Sequence, residues 1–578
     1  MFSSPLGSAR EAIVKFYRRI GYTIHQSERL ADHLFDMTID WDKLSASSFR
    51  SDSSWMNSYS SWQDSGWTNS YSSWSDSSWQ DSGWYNSDLS WLDFGGSWEN
   101  SAWSNGTLSS NLVTDIQTTT TTATTHMGNE TVQSLSLENE AAIFSANIGC
   151  TSWSYVRNMI LAQRKIDPAF VRIEEIVNAT KHRLPFIGGN DVFDISIAST
   201  KCPWSVDKEL LLFGLNGKEP KLSTKNNIVF LVDVSGSMIG NWELVQMSMF
   251  ALLSKLDWDD KITIITYSSE TRIVAENLSC GNKERCIDAI LSIHADGGYT
   301  AGSDALEKAY SILAHRFDSR AINRVMMFTD GDFNFGITQE NSLADFIYVK
   351  RMTGIYLSVI GFGLLNFHDN NMEALSRNGN GNYCFVGCMD DIYDFLYERA
   401  GAILAPIAKD VKVKLEFNPE FIESFRQIGF EVRQLTDEEF HDERTAVDSV
   451  GAGHSMIAAF EIQRVKTSPS QQHRRYSSIS SNHNKDEVGY VTINYKTLEN
   501  STEELCFPIL KEAAELVDSK DTLFISFLLA WGMILRDSSF AEQLSLSMLD
   551  DMASRFSDDE DYSSIMEIYE QYKSIRAS

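Results

Sequence analysis

Between Asn227 and Leu404 the chain alternates strand-like and helix-like segments, and this alternation constrains the fold more than any other feature. The run NIVFLVDV, residues 227–234, is almost continuously apolar, as a strand covered on both faces must be. The next segment places Val245, Met249, Leu252 and Leu256 at steps of four, three and four, which is helical spacing. KITIITY, RVMMFTD ending at Asp330, IYLSVIGFG and NYCFVG repeat the strand pattern. Between them lie a helix with Ile287 and Ile290, one with Leu306, Ala309, Tyr310 and Leu313, one over 340–352 and one through Met372 and Leu375. A last helix runs to about Leu404. Such spacing predicts an α/β unit with a doubly wound, mostly parallel sheet.

The alternation stops after Ala405. DVKVKLEF, FRQIGFEVRQL, HSMIAAFEIQ, VGYVTINYK and ELCFPIL read as antiparallel strands, and so do VFDISIAST and ELLLFGLNGKE before the α/β unit. The α/β unit is therefore expected to be inserted into an antiparallel β-sandwich fed from both sides. Upstream, AAIFSANIGC reads as a strand followed by two helices, the second opened by Pro168 with Val171, Ile173 and Val177 on its apolar side. The polar stretch Gln463–Glu487 is expected to be a flexible loop. The tail from Asp521 is helical. Its apolar run Leu523–Leu535 is shorter than the ~20 residues of a membrane span and reads as a buried helix.

The first 44 residues carry two amphipathic helical patterns broken near Gly21. From Ser45 to Thr125 the composition shifts to Ser, Thr, Asn, Asp, Gly and Trp. A twelve-residue repeat, SSWMNSYSSWQD then SGWTNSYSSWSD, puts Trp55, Trp67 and Trp79 in phase. Twelve residues turn a helical stripe by ~120° per repeat, and the odd Trp spacings alternate faces of a strand. The repeat has no single face to bury, so it reads as a disordered linker whose exposed aromatics are suited to self-association or carbohydrate contact. The expected organisation is thus 1–44 helical, 45–137 low-complexity, 138–226 leading strands and helices, 227–404 α/β, 405–520 sandwich, and 521–578 C-terminal helices.

Lys and Arg number 49 against 79 Asp and Glu, a net charge of −30. That balance argues against nucleic acid as a partner and against an anionic membrane surface. Seven scattered cysteines lack zinc-site spacing and read most simply as reduced thiols, with Cys280–Cys286 or Cys384–Cys388 as the alternative pairs. The N-terminal sequence has no apolar core or cleavage box, so a cytoplasmic location without an integral membrane segment is expected, with export to the cell surface by another route as the alternative. Cys202 and Trp204 in the CPW triplet, and His454 after a Gly-rich turn, read as core residues.

The chemistry concentrates at the ends of the α/β strands. The first ends in DVSGSM, with Asp233, Ser235 and Ser237 on the turn beyond it. GGYTAGS places Thr300 on a Gly-rich loop before a helix, and RVMMFTDGD ends a strand at Asp330. Ligands bind outside the carboxyl ends of strands in open α/β sheets. Two carboxylates and three hydroxyls there suit a hard cation, Mg²⁺ or alternatively Mn²⁺. With few carboxylates the ion stays electron-poor and keeps a position for an external oxygen donor.

DVSGSM, the Gly-Gly-x-Thr loop and TDGD, in that order, resemble the metal-ion-dependent adhesion site of von Willebrand factor type A domains. CPW, GLNGKE, GNGNY, IAKDVKVKLEFNP, VGAGHS and WGMILRDS extend the resemblance over about 138–578 to bacterial YfbK-type proteins. The resemblance implies a Rossmann-like A domain over 227–404 that binds metal through Asp233, Ser235, Ser237, Thr300 and Asp330. It also implies a protein partner that completes the metal shell with an Asp or Glu.

Three function classes follow: a metal-dependent protein-binding module without enzymatic activity, a structural surface protein acting through the Trp repeat, and a metal-dependent hydrolase. The third is disfavoured, because Ser235 stands where a phosphatase DxD motif needs its second Asp and no GxxxxGK[ST] loop is present. The first is the expected one.

Overall fold

The computed structural model describes residues 17–18, 27, 133–134, 141–146, 148–219, 225–295, 297, 302–331, 347, 349–363, 369–442, 445, 447, 449–466 and 486–577. The expected N-terminal helices, the Trp repeat, the helix over 340–352 and the 463–487 loop lie wholly or largely outside these residues.

The leading segment carries β1 (Gln133–Ser134), β2 (Ala141–Ser145), α1 (Thr151–Leu161), α2 (Ile173–Val177), β3 (Phe186–Gly189), β4 (Phe193–Lys201) and β5 (Glu209–Gly217). Pro168 opens a 3-10 turn, Pro168–Phe170, and not the second helix itself. The Asp167 carboxylate caps that turn at the Ala169 N–H, and Val171 is already extended, so the helix starts afresh at Ile173. Val171, Ile173 and Val177 are buried, as their spacing predicts.

The α/β unit follows with β6 (Lys225–Asp233), a 3-10 turn (Gly236–Asn241), α3 (Trp242–Lys255), β7 (Lys261–Tyr267), β8 (Thr271–Ser279), α4 (Lys283–Leu291), α5 (Gly302–His315), β9 (Ala321–Thr329), β10 (Ile355–Phe362), α6 (Asp369–Asn378) and β11 (Tyr383–Val386). The closing helix, α7, is α-helical at Met389–Asp391, π-helical at Ile392–Glu398 and α-helical again at Ala400–Leu404. The sheet order is β11-β10-β9-β6-β7-β8, parallel except for β8. β8 is absent from the sequence reading. It is an antiparallel edge strand with mostly exposed residues, so it lacks the apolar run that marks the others. Alternation along β6 sends Ile228, Phe230 and Val232 into the core beneath α3, and Val229 and Leu231 into the core beneath α5.

The chain then forms β12 (Pro406–Phe417), β13 (Ile422–Ile428), α8 (Asp437–His441), β14 (Val450–Gly451), β15 (Ser455–Arg464), β16 (Glu487–Lys496) and β17 (Thr502–Leu510). One sheet runs β1-β13-β15-β5-β4-β3; the other runs β14-β12-β16-β17, with β2 also on β12. Strands from before and after the α/β unit share both sheets and one apolar core, including Phe144, Phe213, Val413, Phe460 and Val491. The α/β unit is thus an insertion in a β-sandwich. The strand expected over 425–435 stops at Ile428, because Gly429 and Phe430 take φ of 79° and 67° and turn the chain. A Cβ at Gly429 would meet the Glu174 backbone N at 2.9 Å.

Helices α9 (Lys520–Leu535), α10 (Leu546–Ala553) and α11 (Ser563–Ala577) close the chain. The apolar run lies within α9 and is buried on nearly every side, with Trp531 edge-on to Trp153 and Tyr569. Among the described residues no helix is long and apolar enough to cross a membrane.

Charged residues join the inserted unit to its surroundings. The Arg433 guanidinium, almost wholly buried, lies 3.1 Å from Glu373 of α6 and 3.6 Å from Glu175 of α2. Arg172 bonds Glu175 and Glu373, each at 3.1 Å. Burial pushes the Glu373 carboxyl up, but Arg172, Arg433 and Arg377 outweigh it and hold it well below the usual range. Burial raises Glu174 and Glu175 above theirs.

The cysteines are all free thiols. Cys384 meets Cys150, 234 positions earlier in the chain, at 3.3 Å between sulfurs. Cys388, at the start of α7, instead accepts from Arg157 Nη2 at 3.1 Å. Cys280 and Cys286 do lie near each other, and the Cys286 thiol donates to the Ser279 carbonyl at 3.6 Å. Cys202 and Trp204 are buried, and the Trp204 indole donates to Glu461 at 2.8 Å. His454 is a structural residue whose Nε2 sits 3.1 Å from the Ala146 carbonyl; burial pushes its pKa down to about 4.

Candidate metal-ion site

Strands β6 and β9 run parallel with Val232 opposite Phe328, so the ends of both strands reach the same rim. This is also where the strand order reverses, since β7 flanks β6 on one side and β9 on the other. At such a switch point the connecting segments diverge and leave a crevice. Asp233 ends β6, and Asp330 directly follows β9.

Asp233 is fully buried and its carboxylate is fixed at both oxygens. Oδ1 accepts the Ser235 N–H at 2.9 Å, and Oδ2 accepts from the Thr329 hydroxyl at 3.3 Å. Thr329 Oγ1 in turn accepts the Gly331 N–H at 3.2 Å. Burial pushes the Asp233 pKa up to about 6; hydrogen bonds from Ser235 oppose the rise, and the nearby Asp330 carboxylate adds to it. Tyr267, at the end of β7, is buried beside the same acids. Its phenol is raised well above the ordinary range by burial and then by Asp233.

The turn after β6 places the hydroxyls. Ser235 is buried, Ser237 is exposed, and their oxygens are 3.1 Å apart. Gly297, at φ 81°, lies against this turn; a Cβ on Gly236 would stand 4.0 Å from the Gly297 Cα. Thr300, three residues further on, lies outside the described residues. Beyond β10, Gly363 at φ 92° packs close to Asn241 and Asp330.

Four of the five residues chosen from sequence, Asp233, Ser235, Ser237 and Asp330, therefore share one rim. Thr329 and Tyr267 were not foreseen. Thr329 stands one position before Asp330 in the TDGD motif, and parallel pairing of the two strands is the signal that would have found it.

The donor set fits a hard cation. Octahedral Mg²⁺ binds oxygen at ~2.1 Å, which sets adjacent ligands ~3 Å apart, and the two serine hydroxyls have that separation. Among the described residues no group of three or more His, Cys, Asp or Glu gathers to hold a metal. An ion at this rim would draw on the hydroxyls in addition to the two acids.

The doubly wound sheet with this turn at its switch point defines a von Willebrand factor type A domain. The von Willebrand factor type A domain family matches residues 227–395, a further von Willebrand factor family matches 119–212, and the family described as "Uncharacterized protein YfbK, C-terminal" matches 402–575. The chain is 30% identical to YfbK of Escherichia coli strain K12 over 423 residues, covering 71% of this chain and 73% of that protein. It belongs to the YfbK family of von Willebrand factor type A proteins. It is also 24% identical over 266 residues to human inter-alpha-trypsin inhibitor heavy chain H3, covering 43% of this chain and 30% of that protein. A solved von Willebrand factor type A protein from Catenulispora acidiphila is similar at 14% identity and a TM-score of 0.38, covering 66% of this chain and 91% of that one. Von Willebrand factor type A proteins generally mediate protein interaction and adhesion.

Proposed function

We propose that this protein is a divalent-metal-dependent protein-binding module, without enzymatic activity, whose partner presents an Asp or Glu carboxylate. The observation that carries this reading is the 3.1 Å separation of the Ser235 and Ser237 hydroxyls beside the buried Asp233 and Asp330. Ser235 and Ser237 would hold Mg²⁺ or Mn²⁺ as neutral donors, and Asp233 and Asp330 would supply charge. Thr300 joins them on the strength of the family motif. A cation held by two acids and neutral hydroxyls supplies a Lewis-acidic position that a partner carboxylate neutralises. Asp233 is already bonded to the Ser235 N–H, so the turn keeps its shape before any ligand arrives. Such pre-organisation lowers the ordering cost of binding.

Affinity capture from native lysate, with Mg²⁺ or with EDTA, tests the reading. Wild type and Asp233→Ala are compared, and calorimetric Mg²⁺ and Mn²⁺ titrations run alongside. Partner capture and ion binding are both expected to vanish in Asp233→Ala while the far-UV spectrum is kept. Capture that survives both EDTA and the substitution would eliminate it.

A further inference from the structure

The Cys150–Cys384 pair stands apart from the metal rim. Cys150 occupies the position just before α1, in the segment leading into the β-sandwich, and Cys384 lies on β11, an edge strand of the inserted sheet. Their sulfurs are 3.3 Å apart, and a disulfide bond is ~2.05 Å, so about 1.2 Å of approach closes the gap. Both thiols line a cavity of about 70 Å³, together with Arg399 and His454. A water site takes roughly 10–15 Å³ of such space, so a molecule the size of hydrogen peroxide fits beside the sulfurs.

The surroundings distinguish the two sulfurs. Cys150 donates its S–H to Cys384, and the Glu175 carboxylate is within electrostatic reach of Cys150. Burial, this bond and the Glu175 charge together hold the Cys150 thiol protonated, while Cys384 accepts that S–H and turns its own toward the Phe385 carbonyl at 3.9 Å. The Arg399 guanidinium, held by the Asn178 carbonyl at 2.9 Å and the Ala179 carbonyl at 2.6 Å, lies within electrostatic reach of both thiols. It sets a positive charge beside the sulfurs, which favours nucleophilic attack by one of them.

We propose that Cys150 and Cys384 form a peroxide-oxidisable thiol pair whose disulfide ties the leading segment to the inserted α/β unit. The Cys384 sulfur attacks one peroxide oxygen as it gives up its S–H proton, the O–O bond breaks, and the hydroxide that leaves with the electron pair takes that proton as water. Cys384 is then a sulfenic acid. The Cys150 sulfur attacks the Cys384 sulfur, the S–S bond forms and the S–O bond breaks. Hydroxide leaves and takes the Cys150 proton as a second water. Two thiols lose two electrons and two protons, and one peroxide becomes two waters. The bond closes a loop of 234 positions that contains nearly the whole insertion. Cys280 and Cys286, by contrast, are six positions apart within the insertion.

The test uses the full chain. The folded protein is treated with hydrogen peroxide, blocked with an alkylating reagent, digested without reductant and mapped by mass spectrometry. The expected result is a linked Cys150–Cys384 peptide in most molecules, removed by dithiothreitol, with the linkage absent from untreated protein. Cys506, the exposed thiol, reports that peroxide reached the sample. Oxidation of Cys506 without the Cys150–Cys384 peptide would overturn the proposal, as would a linkage that forms only after denaturation. A dimedone trap reads the order of attack: Cys150→Ser is expected to yield an adduct on Cys384, and Cys384→Ser none on Cys150. The reverse pattern would overturn the assigned roles, and the wild-type map stands even if a variant fails to fold.

Discussion

Asp233 exacts a stability cost that replacement by Asn should remove. The side chain is fully buried, and in the metal-free protein its pKa rises from the ordinary 3.8 to about 6. An acid with a raised folded-state pKa binds more protons folded than unfolded, so its ionisation opposes folding. The cost is fully present above pH 6, shrinks as pH falls between 6 and 3.8, and is absent below. At 1.36 kcal/mol per pH unit the full cost is about 3 kcal/mol. The amide of Asp233→Asn still accepts from the Ser235 N–H and still meets the Thr329 hydroxyl, without the charge. For a unit of this size ~1 kcal/mol moves the midpoint by ~2–4 °C, so the variant in EDTA at pH 7.5 should melt roughly 6–12 °C above wild type. The advantage should fall to about 1.5 kcal/mol at pH 5 and near 0.5 kcal/mol at pH 4. Added Mg²⁺ should raise the wild-type midpoint and leave the variant unmoved. Differential scanning calorimetry across these conditions is the assay. A variant that melts at or below wild type in EDTA at pH 7.5 would refute the electrostatic argument, and an unchanged Mg²⁺ response would refute the donor role of Asp233.

Arg433→Met removes the buried cation common to Glu174, Glu175 and Glu373, leaving Arg172 to the last two; urea unfolding should show a loss of about 3–5 kcal/mol, and a loss under ~1 kcal/mol would contradict the reading. Trp531→Ala opens a cavity where α9 meets Trp153 and Tyr569, and the same assay should show about 3–5 kcal/mol. His182 and His454 are each held near pKa 4 by burial, below the ordinary 6.5. A base with a lowered folded-state pKa must give up that difference as the unfolded chain protonates. Wild type should therefore lose about 3 kcal/mol per histidine between pH 6.5 and 4, and His454→Gln should flatten its share of that slope in urea unfolding.

Sequence alone determined the elements whose signal is local. The apolar runs of β6, β9 and β10 and the stepped apolar positions of α3 and α5 are legible because a fully covered strand and a one-sided helix each impose a period on the chain. DVSGSM and TDGD were legible for a related reason: each is a few adjacent residues at the end of such a strand. Tertiary structure decided what depends on pairing. β8 carries no apolar run because it is an edge, so only its hydrogen bonds to β7 reveal it. The switch point between β6 and β9, and with it the Thr329 bond to Asp233, follows from strand order, which no local pattern encodes. The partner of Cys384 is likewise a matter of folding: Cys388 is four positions away in sequence, yet the insertion carries Cys384 against Cys150. Period and composition specify how each segment folds; which distant segments meet is settled only when burial of their apolar faces brings them together.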